Sequence, residues 1–233
     1  MKISVFSLPD IKLGKYNVKD ARLDEVDKIT KAKKKTYIQV ELVGEDAAID
    51  ADAILTAKDS AADLILKDID FVETRLSRST DEKEKTLLGR LKGILEKEEF
   101  IFGKEFNAEE KKLMASYGLL TAKAVVTAQA EELEDLNNLL SKAVAGAEYI
   151  SFFTTGEKET RAWLIKKGIS AWEAAGAIHS DIQQGFIRAE IISFNDFIQS
   201  GGETAAKQAG HQRLEQKNYV MQDCDLVNFR FNK

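Results

Sequence analysis

The stretch SVFSLPDIKLGKYN, residues 4–17, has the order of a strand followed by a phosphate-binding loop. A loop of the form G-x-x-x-x-G-K-S/T uses two glycines, four spacer residues and a serine or threonine that holds magnesium. Here Ser7 replaces the first glycine, six residues separate it from Gly14, and Tyr16 stands where the serine or threonine belongs. The stretch therefore predicts a nucleotide-binding type of α/β sheet whose phosphate loop is altered.

The candidate cofactor-binding residues of this loop are Ser7, Asp10, Gly14 and Lys15. A working loop would hold ATP or GTP with Mg²⁺, because successive backbone N–H groups point into one concavity. Two extra residues and added side chains are expected to spoil that concavity, which leaves Lys15 as a solvated loop lysine. We therefore expect an inactive remnant of a phosphate loop, with no bound cofactor and no catalytic residue.

The composition limits the class of protein. The chain has 233 residues, of which 44% are hydrophobic and 31% charged, enough for one large domain or two smaller ones. The net charge of −5 excludes a protein that coats nucleic acid indiscriminately, since that requires a large basic excess. Residues 151–233 carry ten basic and ten acidic side chains, so the net charge belongs to residues 1–150.

The chain has one cysteine, Cys224, and two histidines. These numbers exclude an internal disulfide and predict no metal site. A redox role for Cys224 would require an exposed thiol. No run approaches the roughly 18 apolar residues of a membrane span, and no signal peptide pattern is present. The sequence predicts a cytoplasmic protein without a membrane contact.

The first 150 residues divide into a strand-rich part and a helical part. Short apolar runs predict strands at residues 3–8, 36–43, 53–57 and 123–128. Apolar residues at helical spacing predict two successive helices within residues 59–118, and the second is expected to start at a capping box with Ser79 as N-cap. Two such helices with a short break predict an antiparallel hairpin.

Residues 151–233 have a different character. Strands are predicted at residues 160–166, 186–193, 219–222 and 226–232, and Ser170 and Glu173 form a capping box that opens a helix. The order of strand, helix, strand, short helices and two closing strands predicts a small β-grasp, ubiquitin-like module. We therefore expect two domains, residues 1–150 and 151–233.

Four long, collinear segments of the C-terminal part resemble a known family. They are FFTTGEKETRAWLIKKG, AAGAIHSDIQQGFIRAEIISFNDFI, AAKQAGHQRLEQKNYVMQD and DLVNFRFN. They resemble the TGS domain of the YchF-type Obg-like ATPases. That family has glycine where this chain has Cys224, so the resemblance implies mildly strained backbone at Cys224. Upstream, DARLDEVDKI, DLILKDIDFVETRLSR and YGLLTAKAVV resemble pieces of that family's nucleotide domain and its inserted helical hairpin. The resemblance implies a truncated P-loop-type α/β remnant with a helical hairpin at about 59–118, followed by a β-grasp TGS domain.

Three nucleotide-binding elements of that family are altered or missing together. Lys12 sits where the second glycine of the loop belongs, and Gly44-Glu45-Asp46 follows the second long strand in place of Asp-x-x-Gly. The segment 128–132 lacks the base-reading asparagine. Without a phosphate concavity and Mg²⁺, nothing neutralises the charge that develops during phosphoryl transfer. The sequence therefore argues against an enzyme.

The candidate partner-binding residues are Arg161, Lys166, Lys167 and Arg188. We expect a β-grasp sheet to place their two strands side by side and to gather a modest basic face, while ordinary solvated charges remain the alternative. The run KITKAKKKTY, residues 28–37, is the densest basic stretch and either contacts phosphate or forms an exposed edge.

The resemblance implies a non-catalytic binding or regulatory protein that engages RNA, the ribosome or a protein partner. The alternative is a nucleotide-binding protein that takes ATP or GTP and retains weak hydrolysis. Strands lost from the first sheet leave an edge that must be covered, which predicts a homodimer.

Overall fold

The computed structural model describes residues 1–232. Its described part is a mixed α/β protein with two sheets, as the sequence predicts at this level. The strands are β1 (Lys2–Phe6), β2 (Gly14–Val18), β3 (Lys35–Thr36), β4 (Ile38–Val43), β5 (Ala53–Ala57), β6 (Ala124–Ala128), β7 (Tyr149–Thr154), β8 (Thr160–Lys166), β9 (Phe186–Ile192), β10 (Arg213–Glu215) and β11 (Leu226–Phe231). The α-helices are α1 (Ala21–Thr30), α2 (Ala61–Arg78), α3 (Glu82–Leu95), α4 (Ala108–Met114), α5 (Leu136–Gly146), α6 (Ala171–Ile178), α7 (Ser180–Gln184), α8 (Phe194–Ser200) and α9 (Glu203–Gln208).

The chain forms two compact units that are not contiguous in sequence. The first contains residues 1–16 and 40–147, and the second contains residues 17–39 and the chain from Glu148 onward. The predicted division at residue 150 therefore needs a correction, because residues 17–39 belong with the C-terminal part. The strand predicted at 36–43 is likewise split, so that β3 joins the second sheet and β4 joins the first.

The first unit is built on a sheet with strand order β2-β4-β1-β5-β6. Strand β1 pairs in parallel with β4 and β5, and β5 pairs in parallel with β6. Ala53–Thr56 of β5 are all buried, as expected for a central parallel strand that is covered on both faces. Phe6, Ile54 and Leu64 form a buried cluster that joins this sheet to α2.

Helices α2 and α3 pack on each other through a buried aliphatic cluster that includes Val72, Leu88 and Leu91. The predicted capping box at Ser79 is wrong. Asp81 is the N-cap of α3 and accepts the backbone N–H of Glu84 at 2.9 Å, three residues on. Ser79 instead ends α2, and its hydroxyl donates to Glu84.

The second unit is built on a sheet with strand order β10-β9-β11-β7-β8-β3. Strand β7 pairs in parallel with β11 and antiparallel with β8, while β9 pairs antiparallel with β10 and β11. Ala171, Ala174 and Ala175 of α6 are buried in the same cluster as Phe152 and Phe229 of the sheet. The sequence analysis missed β7 and β10, and the strand predicted at 219–222 is a single bridge between Ser170 and Val220.

Residues 17–39 join the second unit because β3 lies along the otherwise open edge of β8. Lys35 pairs with Thr160, and the two threonine hydroxyls of Thr30 and Thr160 are 2.7 Å apart. At the other end of α1, Arg22 donates to Asp223 at 2.6 Å. An edge strand with unpaired backbone groups is covered in this way.

Candidate functional site

The loop after β1 is the first candidate site. The φ angle of Ser7 is +53°, a left-handed conformation that normally favours glycine. Its backbone N–H donates to the carboxylate of Glu45 at 2.9 Å. A second backbone donor, the N–H of Ile11, closes a turn on the carbonyl of Leu8 at 3.2 Å. Two backbone donors of the loop are therefore bonded within the protein.

The loop continues into a strand and not into a helix. Gly14 and Lys15 are the first residues of β2, and Gly14 has a φ of +133° with open space around its Cα. Tyr16, next along β2, donates its hydroxyl to the carbonyl of Lys12 at 2.7 Å. A phosphate loop owes part of its anion affinity to the N-terminus of the helix that follows it. That contribution does not exist where a strand follows.

Glu45 gives this end of β1 a negative charge. It begins a 3-10 helix, Glu45–Asp50, directly after Gly44, where the sequence predicts that the second signature is lost. Its partner is Lys67 of α2, whose ammonium lies 3.6 Å from the Glu45 carboxylate and 4.2 Å from the centre of the Phe6 ring. Sequence reasoning missed both residues: Glu45 is detectable as a carboxylate that follows a strand, whereas Lys67 has no local signal.

The segment that would read a base is also closed on itself. Gln129 follows β6, and its backbone N–H donates to the carboxylate of Glu132 at 3.0 Å. Glu132 is paired in turn with Lys142 at 2.9 Å. The bond between Gln129 and Glu132 belongs to a capping box for the 3-10 helix Ala130–Glu134. Among the described residues, no group of three or more His, Cys, Asp or Glu side chains is arranged to hold a metal ion.

The predicted basic face on the second sheet needs a correction. Arg161 and Lys166 lie on β8 and Arg188 lies on β9, but β11 and β7 separate these two strands. Lys166 lies over the ring of Tyr149 at 4.0 Å, and Lys167 follows the end of β8. The sequence did not predict β7, so it did not show that β7 lies beside β8 and separates it from the rest of the sheet.

Arg161 has different neighbours from those predicted. It pairs along β3 with Thr36, so it lies beside the basic run of residues 28–37. Its guanidinium lies over the ring of Trp163 at 4.0 Å and approaches Glu159 at 3.9 Å. The structure thus brings one of the four predicted partner-binding residues next to the densest basic stretch of the chain.

Cys224 does not offer a reactive thiol. Its φ of +64° agrees with the expected strain in this turn, but the side chain is buried. Burial, followed by the nearby Asp223 carboxylate, raises the pKa of the thiol far above that of a free cysteine. Because the nucleophile of a cysteine is its thiolate, a redox role is not supported.

No helix among residues 1–232 is long and apolar enough to cross a membrane.

Comparison with known proteins identifies the family of this chain. The family model YchF-GTPase_C, described as a protein of unknown function (DUF933), matches residues 149–232. The ribosome-binding ATPase YchF of Bacillus subtilis is 32% identical over 235 positions, which cover 73% of this chain and 64% of the relative. The chain belongs to the YchF family. The predicted family is therefore confirmed.

Other YchF relatives match mainly a shorter region. The ribosome-binding ATPase YchF of Haemophilus influenzae is 48% identical over 97 residues, 42% of this chain and 27% of the relative. The zebrafish Obg-like ATPase 1 is 42% identical over 97 residues, 24% of its length. The chain thus spans less than two thirds of these relatives.

The solved structure of the YchF GTPase of Schizosaccharomyces pombe has the same fold. Its TM-score to this chain is 0.80 at 19% identity, and the match covers 99% of this chain and 97% of that chain. The alignment with the Bacillus YchF has 235 positions but includes only 73% of the 233 residues of this chain. Some aligned residues of that relative therefore have no counterpart here.

Proposed function

We propose that this YchF-family chain is a non-catalytic, cytoplasmic binding protein that acts on the ribosome through its C-terminal β-grasp TGS unit. The proposed association with the ribosome rests on the relatives, which are named ribosome-binding ATPases. The proposed loss of hydrolysis rests on the altered first loop of this chain. In this proposal residues 1–16 and 40–147 are a shortened nucleotide-domain remnant that serves as a scaffold.

The observation that carries the proposal is the bond between the Ser7 N–H and the Glu45 carboxylate. A triphosphate seated on the loop would need that N–H and would lie beside the carboxylate. Two like charges about 4 Å apart repel by about 1 kcal/mol in water and about 4 kcal/mol at an effective dielectric constant of 20. The Glu45 side chain is 47% exposed and its charge is offset in part by the Lys67 ammonium at 3.6 Å, so the lower end of that range applies.

The other residues of the loop do not fit a magnesium-bound nucleotide either. The position after Lys15 is tyrosine, and its hydroxyl is bonded to the carbonyl of Lys12. The predicted cofactor residues Ser7, Asp10, Gly14 and Lys15 are thus proposed to be structural.

Calorimetric titration with ATP and GTP in the presence of Mg²⁺ tests the loss of nucleotide binding. We expect no heat of binding from the wild type, from Lys15→Ala or from Glu45→Gln. Micromolar binding that Lys15→Ala abolishes would overturn the proposal and establish the alternative, a nucleotide-binding protein with residual hydrolysis. Glu45→Gln removes the charge that opposes phosphate and keeps the shape of the side chain, so no heat from this variant would show that the rest of the loop also fails to hold a nucleotide, whereas binding by it would contradict that part of the proposal.

Cosedimentation with purified ribosomes tests the binding role. We expect the protein in the ribosomal pellet at low salt and less of it as salt rises, because an electrostatic contact with RNA weakens with salt. Absence from the pellet at low salt would contradict the proposal. The predicted homodimer stays a prediction, and light scattering that shows a monomer at tens of micromolar would refute it.

A further inference from the structure

A basic surface forms at the edge of the second sheet, at a place that the linear sequence does not indicate. We name it the edge basic cluster. It consists of Lys31, Lys33, Lys34, Lys158 and Arg161. The four lysines are exposed and Arg161 is partly exposed. More than 100 residues separate its two parts along the chain, and the pairing of β3 with β8 brings them together.

Backbone hydrogen bonds fix this arrangement. The carbonyl of Lys34 accepts the N–H of Thr160 at 2.9 Å, at the start of β8. One residue earlier, the N–H of Lys33 donates to the carbonyl of Glu157 at 3.1 Å. Lys158 lies in the turn between these two attachment points. The backbones of residues 33–34 and 157–160 are therefore held next to each other by main-chain bonds.

Two carboxylates, Glu157 and Glu159, lie in the same segments as these cations. Glu159 accepts a hydrogen bond from the Thr36 hydroxyl and lies 3.2 Å from the Lys34 ammonium. The Thr36 bond first, and then the Lys34 contact, lower the pKa of Glu159 below its usual value and outweigh the opposing effect of partial burial. Glu157 is exposed. Residues 31–34 and 157–161 together carry five cations and two carboxylates, on a protein whose net charge is −5. Lys35 is left out because its ammonium is bonded to Asp24 at 2.5 Å.

Arg161 has the geometry of a phosphate-binding arginine. Its guanidinium stacks on the Trp163 ring, and the Trp163 indole N–H donates to the Thr154 hydroxyl at 2.9 Å, which fixes the ring. The Glu159 carboxylate is 3.9 Å from this guanidinium, beyond hydrogen-bond distance. The planar N–H edge can therefore form two parallel bonds to phosphate oxygens. A flexible lysine at the same place would supply only a point charge.

We propose that the edge basic cluster binds the phosphate backbone of RNA, an inference that rests on the proposed function for its partner. RNA offers a regular row of negative charges, and a local cluster lets an acidic protein bind it at one face only. With about four phosphate contacts, the logarithm of the affinity for single-stranded RNA falls with a slope of about −3 against the logarithm of salt concentration. This corresponds to about a fiftyfold loss between about 50 and about 200 mM salt.

Two matched charge-reversal variants test the surface. The first is Lys31→Glu/Lys33→Glu/Lys34→Glu in the cluster. The second is Lys97→Glu/Lys111→Glu/Lys112→Glu, which changes the net charge equally at exposed lysines of the first unit. The probes are a fluorescently labelled single-stranded RNA, a short RNA duplex and purified ribosomes. A glutamine triple variant at 31, 33 and 34, with its melting temperature, guards against misfolding.

We expect the cluster variant to bind labelled RNA at least about tenfold more weakly at 50 mM salt, with a slope reduced by about two, whereas the control variant changes little. Equal loss in both triple variants, or no RNA binding by the wild type, would overturn the inference. An acidic protein partner is the explanation if the wild type binds ribosomes in a salt-dependent way but binds neither RNA probe.

The ribosome arm separates this inference from the proposed function. If the cluster variant still cosediments with ribosomes as the wild type does, the surface assignment is wrong and ribosome binding stands. If the wild type binds RNA through the cluster but never reaches the ribosomal pellet, the surface assignment stands and the proposed function is wrong.

Discussion

Asp68 is a buried carboxylate that ties the helical hairpin to the first sheet. It lies on α2 with 3% of its surface exposed. One oxygen accepts the N–H of Leu120 at 3.0 Å, and the other accepts both the N–H and the hydroxyl of Thr121 at 2.7 Å. Residues 120 and 121 lead directly into β6. We predict that Asp68→Asn loosens this joint.

The expected cost follows from the geometry. Asparagine keeps the shape of aspartate but has one carbonyl oxygen, so its NH₂ group must face at least one of the buried backbone donors. Losing a hydrogen bond to a charged acceptor costs about 1.5–3 kcal/mol. Burial raises the pKa of Asp68, so the neutral side chain recovers part of that loss. The free energy of unfolding should fall by about 2 kcal/mol at neutral pH.

Urea denaturation followed by circular dichroism measures this change. The matched control is Asp70→Asn on the same helix, where the side chain is exposed and a change within about 0.5 kcal/mol is expected. A stability of Asp68→Asn equal to that of the control would show that the three bonds contribute nothing net. The reasoning about this joint would then be wrong.

Two further variants probe burial directly. Leu91→Ala, at a fully buried position of α3, should lower the unfolding free energy by about 2–5 kcal/mol. The control Leu66→Ala, at a position 58% exposed on α2, should change it by less than about 0.5 kcal/mol. Similar urea midpoints for the two variants would contradict the hairpin packing. The pKa of Cys224 in the folded protein lies above the unfolded value of about 8.5. Above that pH the unfolded thiol ionises while the native thiol keeps its proton, so the free energy of unfolding falls by up to about 1.4 kcal/mol per pH unit. Cys224→Ser should lack this slope, and parallel pH profiles of the two proteins would refute it.

Local signals in the sequence located many elements correctly. The capping box from Ser170 to Glu173 starts α6 as predicted, and the apolar run at residues 53–57 is β5. These features depend on contacts within one or two turns, which a short window contains. At Ser79 a local signal failed because Asp81, two residues on, has the same spacing to its own acidic partner.

Long-range pairing was beyond the sequence. Nothing in residues 17–39 shows that β3 pairs with β8, more than 100 residues away. The order of strands likewise decides which basic residues meet, so Arg161 lies beside the basic run and not beside Arg188. The contact of Glu45 with the first loop is also long-range, because Glu45 lies in the segment after β4, 38 residues from Ser7.

The backbone amide of Ser7 reports most directly on whether the first loop still binds phosphate. Titration of ¹⁵N-labelled protein with a non-hydrolysable ATP analogue and Mg²⁺, and then with the GTP analogue, should leave the amide shifts of Ser7 and residues 8–15 unchanged, because the Ser7 N–H is bonded to Glu45. Saturable shifts confined to this loop, with the Ser7 amide moving most, would contradict the claim that the front of the chain no longer holds a triphosphate.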